Sequence, residues 1–252
     1  MGPSHAPYHC PAPQVHSGAG RLSLLTVDDL DAIFLSVRVA ATAVAAELPL
    51  AVLTAYALSR SRLATRVLLE TVVTMPLVLP PVATGYLLLV LFGRTGPIGG
   101  ALAEAGIVFA FRWTGAALAA AVMAFPLMVR PMRLAMEAIE PEVGEAALTL
   151  GAPPLVRFFH LTLPLAAPGV AAGVVLGFAK ALGEFGATIT FVGAIPGETL
   201  TLPTAIYQAT QTPGEEGHTL ILCLVAAALA VGAVLTSEFV GQSIRKRARL
   251  SS

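Results

Sequence analysis

The sequence predicts an all-α integral membrane protein with about five transmembrane helices. Three observations carry that prediction. Of 252 residues, 56% are hydrophobic and only 12% are charged, with a mean hydropathy of +0.80. Soluble domains carry ~25% charged residues, because a core needs polar surface to cover it. Apolar stretches of the ~20 residues that a helix needs to cross a ~30 Å hydrocarbon core recur along the chain. The basic residues gather in alternate connecting segments, the pattern that orients membrane proteins. Formal net charge is zero, from 15 basic and 15 acidic residues, so nothing in the charge balance points to nucleic acid.

Residues 1–28 read as a tail. The run through Thr26 is rich in Pro, Gly and His and lacks a basic start followed by an apolar segment, so it does not read as an ordinary signal peptide. Its composition suits a disordered segment. His5, His9, Cys10 and His16 leave metal binding as the alternative. Cys10 and Cys223 are the only cysteines and lie too far apart in sequence to suggest a disulfide framework.

Residues 29–242 read as a membrane domain with spans near 33–58, 67–92, 114–133, 165–192 and 220–240. The first carries Arg38 and Glu47, so it is not a purely lipid-facing helix. For Glu47, a cross-helix hydrogen bond or a protonated carboxyl is expected. The second holds Pro76, Pro80 and Pro81. Proline removes a helical hydrogen bond and clashes with the preceding turn, so this span should be kinked or unwound where neighbours satisfy the freed carbonyls.

Basic residues follow the first span (Arg60, Arg62, Arg66), the third (Arg130, Arg133, Arg157) and the fifth (Arg245, Lys246, Arg247, Arg249). The 93–113 loop has only Arg94 and Arg112, and the 193–219 loop has no Lys or Arg. The basic side is cytoplasmic, which places the N-terminus outside and the C-terminus, with its basic 243–252 tail, inside.

The segment 137–164 is the most informative. Pro141 suits a helix start, and Glu142 and Glu145 complement the positive end of its dipole. Gly151 suits a left-handed turn that ends the helix. Pro153 and Pro154 suit a second helix, and Phe158 and Phe159 give an apolar surface before the chain re-enters the membrane. A helix–Gly turn–helix of this kind makes a rigid knob for docking a partner.

Glu145-Ala146-Ala147, three residues, Gly151, nine residues, then Leu161 to Pro164 resembles the EAA loop of bacterial ABC importer permeases. The resemblance implies the type I importer permease fold over about residues 31–242. It implies that this loop couples to an ATP-binding subunit: Glu145 faces that partner, Ala146 and Ala147 permit close approach, and Gly151 makes the turn. It further implies a second copy of the chain, two ATPase subunits that hold ATP and Mg, an extracytoplasmic oxyanion-binding protein and membrane lipid. No cofactor is expected on this chain, which lacks a GxxxxGK[ST] phosphate loop, and no metal site or catalytic residue is assigned in it. The segments 75–99 and 182–207 resemble the molybdate branch. Sulfate/thiosulfate and tungstate permeases are the alternatives.

Lys180 and Glu184 lie deep in the fourth span at a spacing of four. Intramembrane charges are costly and usually face the bundle interior or a water-filled path. They read either as part of a translocation path or as an i,i+4 ion pair on one helix face. Gly169, Gly173 and Gly177 form a doubled GxxxG that suits close helix packing, within the bundle or across a dimer axis. The 193–219 loop reads as a docking surface for the binding protein or as a solvated connector. His160 reads as interfacial, and His218 lies at the outer edge of the last span.

A stand-alone secondary transporter is the rival class, but such folds carry paired broken helices in repeated halves. The sequence shows one strongly Pro-broken span and an odd span count. A simple membrane anchor would not need Glu47, Lys180 and Glu184.

Overall fold

The computed structural model describes residues 25–250, with side chains described as far as residue 236. The tail residues His5, His9, Cys10 and His16, the candidate metal ligands of the sequence, and the side chains of the basic C-terminal segment lie outside the described residues. All regular elements among the described residues are helices, and none is a strand.

Helix α1 (Val27–Arg60) starts two residues earlier than the 1–28 tail allows, because Thr26 and Asp29 form a reciprocal capping box. The second span is split into α2 (Leu63–Val78) and α3 (Pro81–Phe92), bent by 106°. Pro80 and Pro81 account for the break: neither offers a backbone N–H, and α3 begins at Pro81, where proline's fixed φ suits a first helical residue. The 93–113 loop contains a short helix, α4 (Pro97–Glu104). Helix α5 (Trp113–Glu137) lies at the centre, packed along α1 and α9.

The 137–164 segment folds as α6 (Pro141–Thr149), α7 (Pro154–Arg157), a π turn (158–162) and α8 (Leu163–Leu165). The fourth span, expected as one run over 165–192, is interrupted. A 70° bend at Ala166 separates Pro154–Leu165 from α9 (Ala167–Leu182), and residues 183–185 separate α9 from α10 (Gly186–Val192). The 193–219 loop is not only a connector. It carries α11 (Leu202–Thr210), with Leu202, Thr204, Ala205 and Ala209 buried. Helix α12 (Glu216–Leu250) closes the chain. Three helices are single candidates for spans, and the two bent pairs bring the number to five.

Lipid offers helices no hydrophobic reason to associate, so close van der Waals fit carries the assembly. Small residues provide it. Ala40, Ala116, Ala119, Ala120, Ala124 and Ala187 are fully buried in one half of the bundle. Met128, Met132 and Val129 fill the other half with Ala51, Ala55 and Ala166. The doubled GxxxG faces α5: a Cβ on Gly173 would meet the Met128 carbonyl oxygen at 2.6 Å, and one on Gly169 would meet that of Pro131 at 2.7 Å. Of the two packing settings open in the sequence, these glycines occupy the one inside the bundle.

The two breaks meet each other. A Cβ on Gly85 of α3 would lie 2.8 Å from the Cα of Ala187, and one on Gly186 would lie 2.7 Å from the Cβ of Pro81. Helix α10 therefore seats directly on α3. Backbone atoms cannot retreat as a side-chain tip can, so Gly85→Ala should lower stability by about 1–3 kcal/mol through overpacking. Gly100 on α4 has only the Arg94 carbonyl at 3.6 Å. Gly100→Ala should be neutral or stabilising by up to ~1 kcal/mol, the helix propensity difference. Thermal unfolding in detergent compares the two.

Candidate functional site

The knob is built from local backbone chemistry. Pro141 opens α6 and Glu142 lies in its first turn. At the other end Gly151 adopts φ +72°, Gly151 N–H donates to Leu148 O (2.9 Å), and Ala152 N–H donates to Ala147 O (3.0 Å). This 5→2 and 6→1 pair is a Schellman cap, with Gly151 at the left-handed position. No atom stands within 4 Å of where its Cβ would be, so the requirement for glycine is conformational. Thr149 Oγ1 donates to the carbonyls of Glu145 (2.9 Å) and Ala146 (3.0 Å), closing the same turn.

Glu145 and Ala146 are exposed, and Ala147 is half-buried. Beside them lies a cavity of about 370 Å³, lined by Arg60, Glu140, Glu145, Leu148, Arg157 and Leu161. The knob is anchored beneath by Phe158, which is buried edge-on against Tyr56 of α1 (centroids 4.8 Å). Phe159, 4.9 Å from Phe158, stays exposed, as do His160 and Pro164. A rigid helical cap, backed by α1 and with its acidic and alanine face open, can transmit a push from a partner to the bundle.

The break between α9 and α10 holds Lys180 and Glu184. The helix ends at Leu182, so the two do not share one uninterrupted helix face as the spacing suggested. Lys180 Nζ contacts Glu184 Oε2, and Ala187 N–H donates to Glu184 Oε1 (3.1 Å). Glu184 thus satisfies a first-turn N–H of α10 and pairs a lysine at once. Its side chain is 1% exposed against 26% for Lys180, so the carboxylate is structural cement and the ammonium is the more accessible group. Phe185, in the break, lies against Tyr207 of α11 with the rings tilted (centroids 5.0 Å).

Glu47 is 7% exposed, and neither carboxyl oxygen has a hydrogen-bond partner among the described residues. The cross-helix bond expected for it is not present here. It borders a cavity of about 430 Å³ between α1, α2 and α5, lined by Val72, Val73, Pro76, Leu118 and Phe125. Arg38 is accounted for: its guanidinium sits 3.9 Å from the centroid of the Trp113 ring, tying α1 to the start of α5. On the same side, Ser36 Oγ accepts from Leu202 N–H (2.6 Å) and His218 Nε2 lies 3.3 Å from Asp29, so α1 also holds α11 and α12.

One cluster escaped the sequence reading. Arg66 Nη2 lies 2.9 Å from Glu137 Oε1, Arg133 Nη1 lies 2.7 Å from Glu70 Oε2, and Arg133 Nε lies 3.7 Å from Glu137. The available signal was two opposite-charge pairs at i,i+4, Arg66/Glu70 and Arg133/Glu137, on neighbouring spans.

The sequence pattern of the family described as "Binding-protein-dependent transport system inner membrane component" matches residues 47–247. The molybdenum transport system permease protein ModB of Escherichia coli (strain K12) is 50% identical over 226 residues, covering 89% of this chain and 99% of that protein. The sulfate transport system permease protein CysW of the same strain is 37% identical over 184 residues, covering 73% of this chain and 63% of that protein. A bacterial alginate ABC transporter, solved in complex with an alginate pentasaccharide-bound periplasmic protein, matches with a TM-score of 0.70 at 19% identity. The match covers 87% of this chain and 80% of that one, a likeness of fold.

The buried carboxylate gives a stability test. Lys180→Met leaves Glu184 charged and unpaired and should cost about 3–5 kcal/mol. Adding Glu184→Gln keeps an acceptor for Ala187 and should recover most of that loss. Thermal unfolding of the single and double variants in detergent measures both.

Proposed function

The chain belongs to the family of binding-protein-dependent transport system inner membrane components, and from that premise we propose that it is the permease subunit of an ATP-driven importer that carries molybdate across the bacterial inner membrane. The observation that carries the reading is identity of 50% to a molybdenum permease across 99% of that protein's length, a match that takes in the bundle and the knob together. The sulfate permease is a more distant relative on the same scaffold. The role is transport, not catalysis.

Energy comes from a separate subunit. The chain has no phosphate loop, and ATP and Mg sit on two ATPase partners beneath a pair of permease copies. Glu145, Ala146, Ala147 and Gly151 form the surface those partners push, with Leu161 and Pro164 carrying the push into the fourth span. Orientation follows from charge. Arg60, Arg66, Arg133 and Arg157 converge at the knob end of the bundle, where Arg60 and Arg157 line the cavity beside α6 and Arg66 reaches Glu137. Basic ends face the cytoplasm, which puts the knob beside the ATPase and the Asp29–His218 end outside, toward the oxyanion-binding protein. The periplasmic partner of the alginate transporter is a precedent for that arrangement on this fold. Lys180, the accessible cation at the mid-bundle break, is the candidate contact for a passing oxyanion.

A cysteine placed at Ala147 should crosslink to the co-expressed ATPase. Absence of a crosslink together with intact uptake would refute the coupling role. In radiolabelled uptake, tungstate should compete with molybdate far better than sulfate. Equal competition by sulfate would refute the narrow substrate assignment.

A further inference from the structure

We propose that the four charges Arg66, Glu70, Arg133 and Glu137 form a clasp that couples the knob to the first half of the broken span, so that α2 follows the ATPase during transport. This proposal rests on the importer reading and extends it to a specific moving part.

Helix α2 is the loosest seated of the candidate membrane segments. None of its residues is buried. Two of its three threonine hydroxyls are spent on its own backbone: Thr71 Oγ1 donates to Val67 O (2.8 Å) and Thr74 Oγ1 to Glu70 O (2.6 Å). The cavity of about 430 Å³ beside Glu47 lies between its Val72 and Pro76 and helices α1 and α5, and Val73 is the α2 side chain that packs on the α1–α5 core. At its far end the chain turns by 106° through Leu79 and Pro80. A segment with little packing on one side and a proline hinge at one end is drawn from the low-stability end of a structure.

Among the described residues, the polar ties that hold α2 to its neighbours are Arg66–Glu137 and Glu70–Arg133. Both land at the C-terminal end of α5, on Glu137 and, one turn before it, Arg133. Glu137 is the final residue of that helix, four before Pro141 opens the knob. Arg133 bridges Glu70 at 2.7 Å and Glu137 at 3.7 Å, so the charges alternate in one string from α2 to the base of the knob. Arg133 is 7% exposed, yet its Nε and Nη1 have no aligned hydrogen-bond acceptor. The attraction is therefore between charges and is not fixed by aligned hydrogen bonds, which lets the pairs persist while α2 tilts. A displacement of the knob moves Glu137, and the clasp passes that movement to α2. The hinge at Pro80 then converts it into opening or closing of the seam beside Glu47.

The test uses the complete transporter, permease with ATPase and binding protein, in proteoliposomes. Glu70→Gln and Arg66→Gln remove the α2 ends of the clasp and leave Arg133 with Glu137. Molybdate taken up per ATP hydrolysed should fall about tenfold, while ATP hydrolysis stays within about twofold, a loss within the ordinary range of site-to-site coupling. Spin labels at Leu50 on α1 and Val72 on α2, both exposed and both lining the seam beside Glu47, should change separation between the nucleotide-free and ATP-bound parent and not in Glu70→Gln. Parent-like uptake per ATP in both variants, or a fixed Leu50–Val72 distance in the parent, would overturn the clasp. If the variants lose uptake and hydrolysis together, the distance measurement on the parent decides. A parent complex that takes up no molybdate at all would instead strike the importer reading, whatever the clasp does.

Discussion

A broken helix in a bilayer must be sealed by protein, and that constraint governs the bundle. Unpaired backbone groups facing hydrocarbon cost several kcal/mol each, so irregular backbone survives at membrane depth only where neighbours cover it. Here two spans break, at Leu79–Pro80 and at residues 183–185, and each break is packed on the other. Gly85 and Gly186 permit the contact, Glu184 satisfies the N–H of Ala187, and Phe185 in the break contacts Tyr207 of α11. The central helix α5 holds α9 through the glycine seam and α1 through alanines and methionines. The outer ends of α1, α11 and α12 are pinned by Ser36, Asp29 and His218.

This arrangement divides the molecule by stiffness. α1, α5 and α9 share buried small residues and move as one body. α2 has none and stands off across a cavity. The knob is rigid in itself, by its Schellman cap, and rigidly joined to α1 through Phe158 and Tyr56. Motion driven from below therefore has one compliant place to go. An alternating-access permease needs such a contrast between a stiff frame and a hinged part.

Much of this was legible in the sequence. The apolar runs, the Pro76–Pro81 break, the Pro141 start and the Gly151 turn are all local signals, and local signals survive without coordinates. The second break was harder to read, because residues 183–185 hold no proline, and the local signal was only Gly183 and Gly186 on either side of Glu184. The Lys180–Glu184 spacing suggested one helix face, whereas Glu184 leaves the helix to cap the next one. The outer loop hid α11 because its Thr and Pro residues read as turns, and only burial against α1 and α12 makes them a helix. The Thr26–Asp29 box was a readable cap that the compositional bias of the preceding tail obscured. The clasp joins residues about seventy apart, and the meeting of Gly85 with Ala187 joins residues about a hundred apart, beyond what any short window carries.

The central claim is that the knob lies on the cytoplasmic face of a sealed bundle. Two single-cysteine variants in a background lacking the native cysteines test it most directly: Leu150→Cys, exposed beside the Gly151 turn, and Thr212→Cys, exposed after α11. A membrane-impermeant thiol reagent should label the Thr212 site in intact spheroplasts and the Leu150 site only in inverted vesicles. Labelling of the Leu150 site from outside would contradict the account.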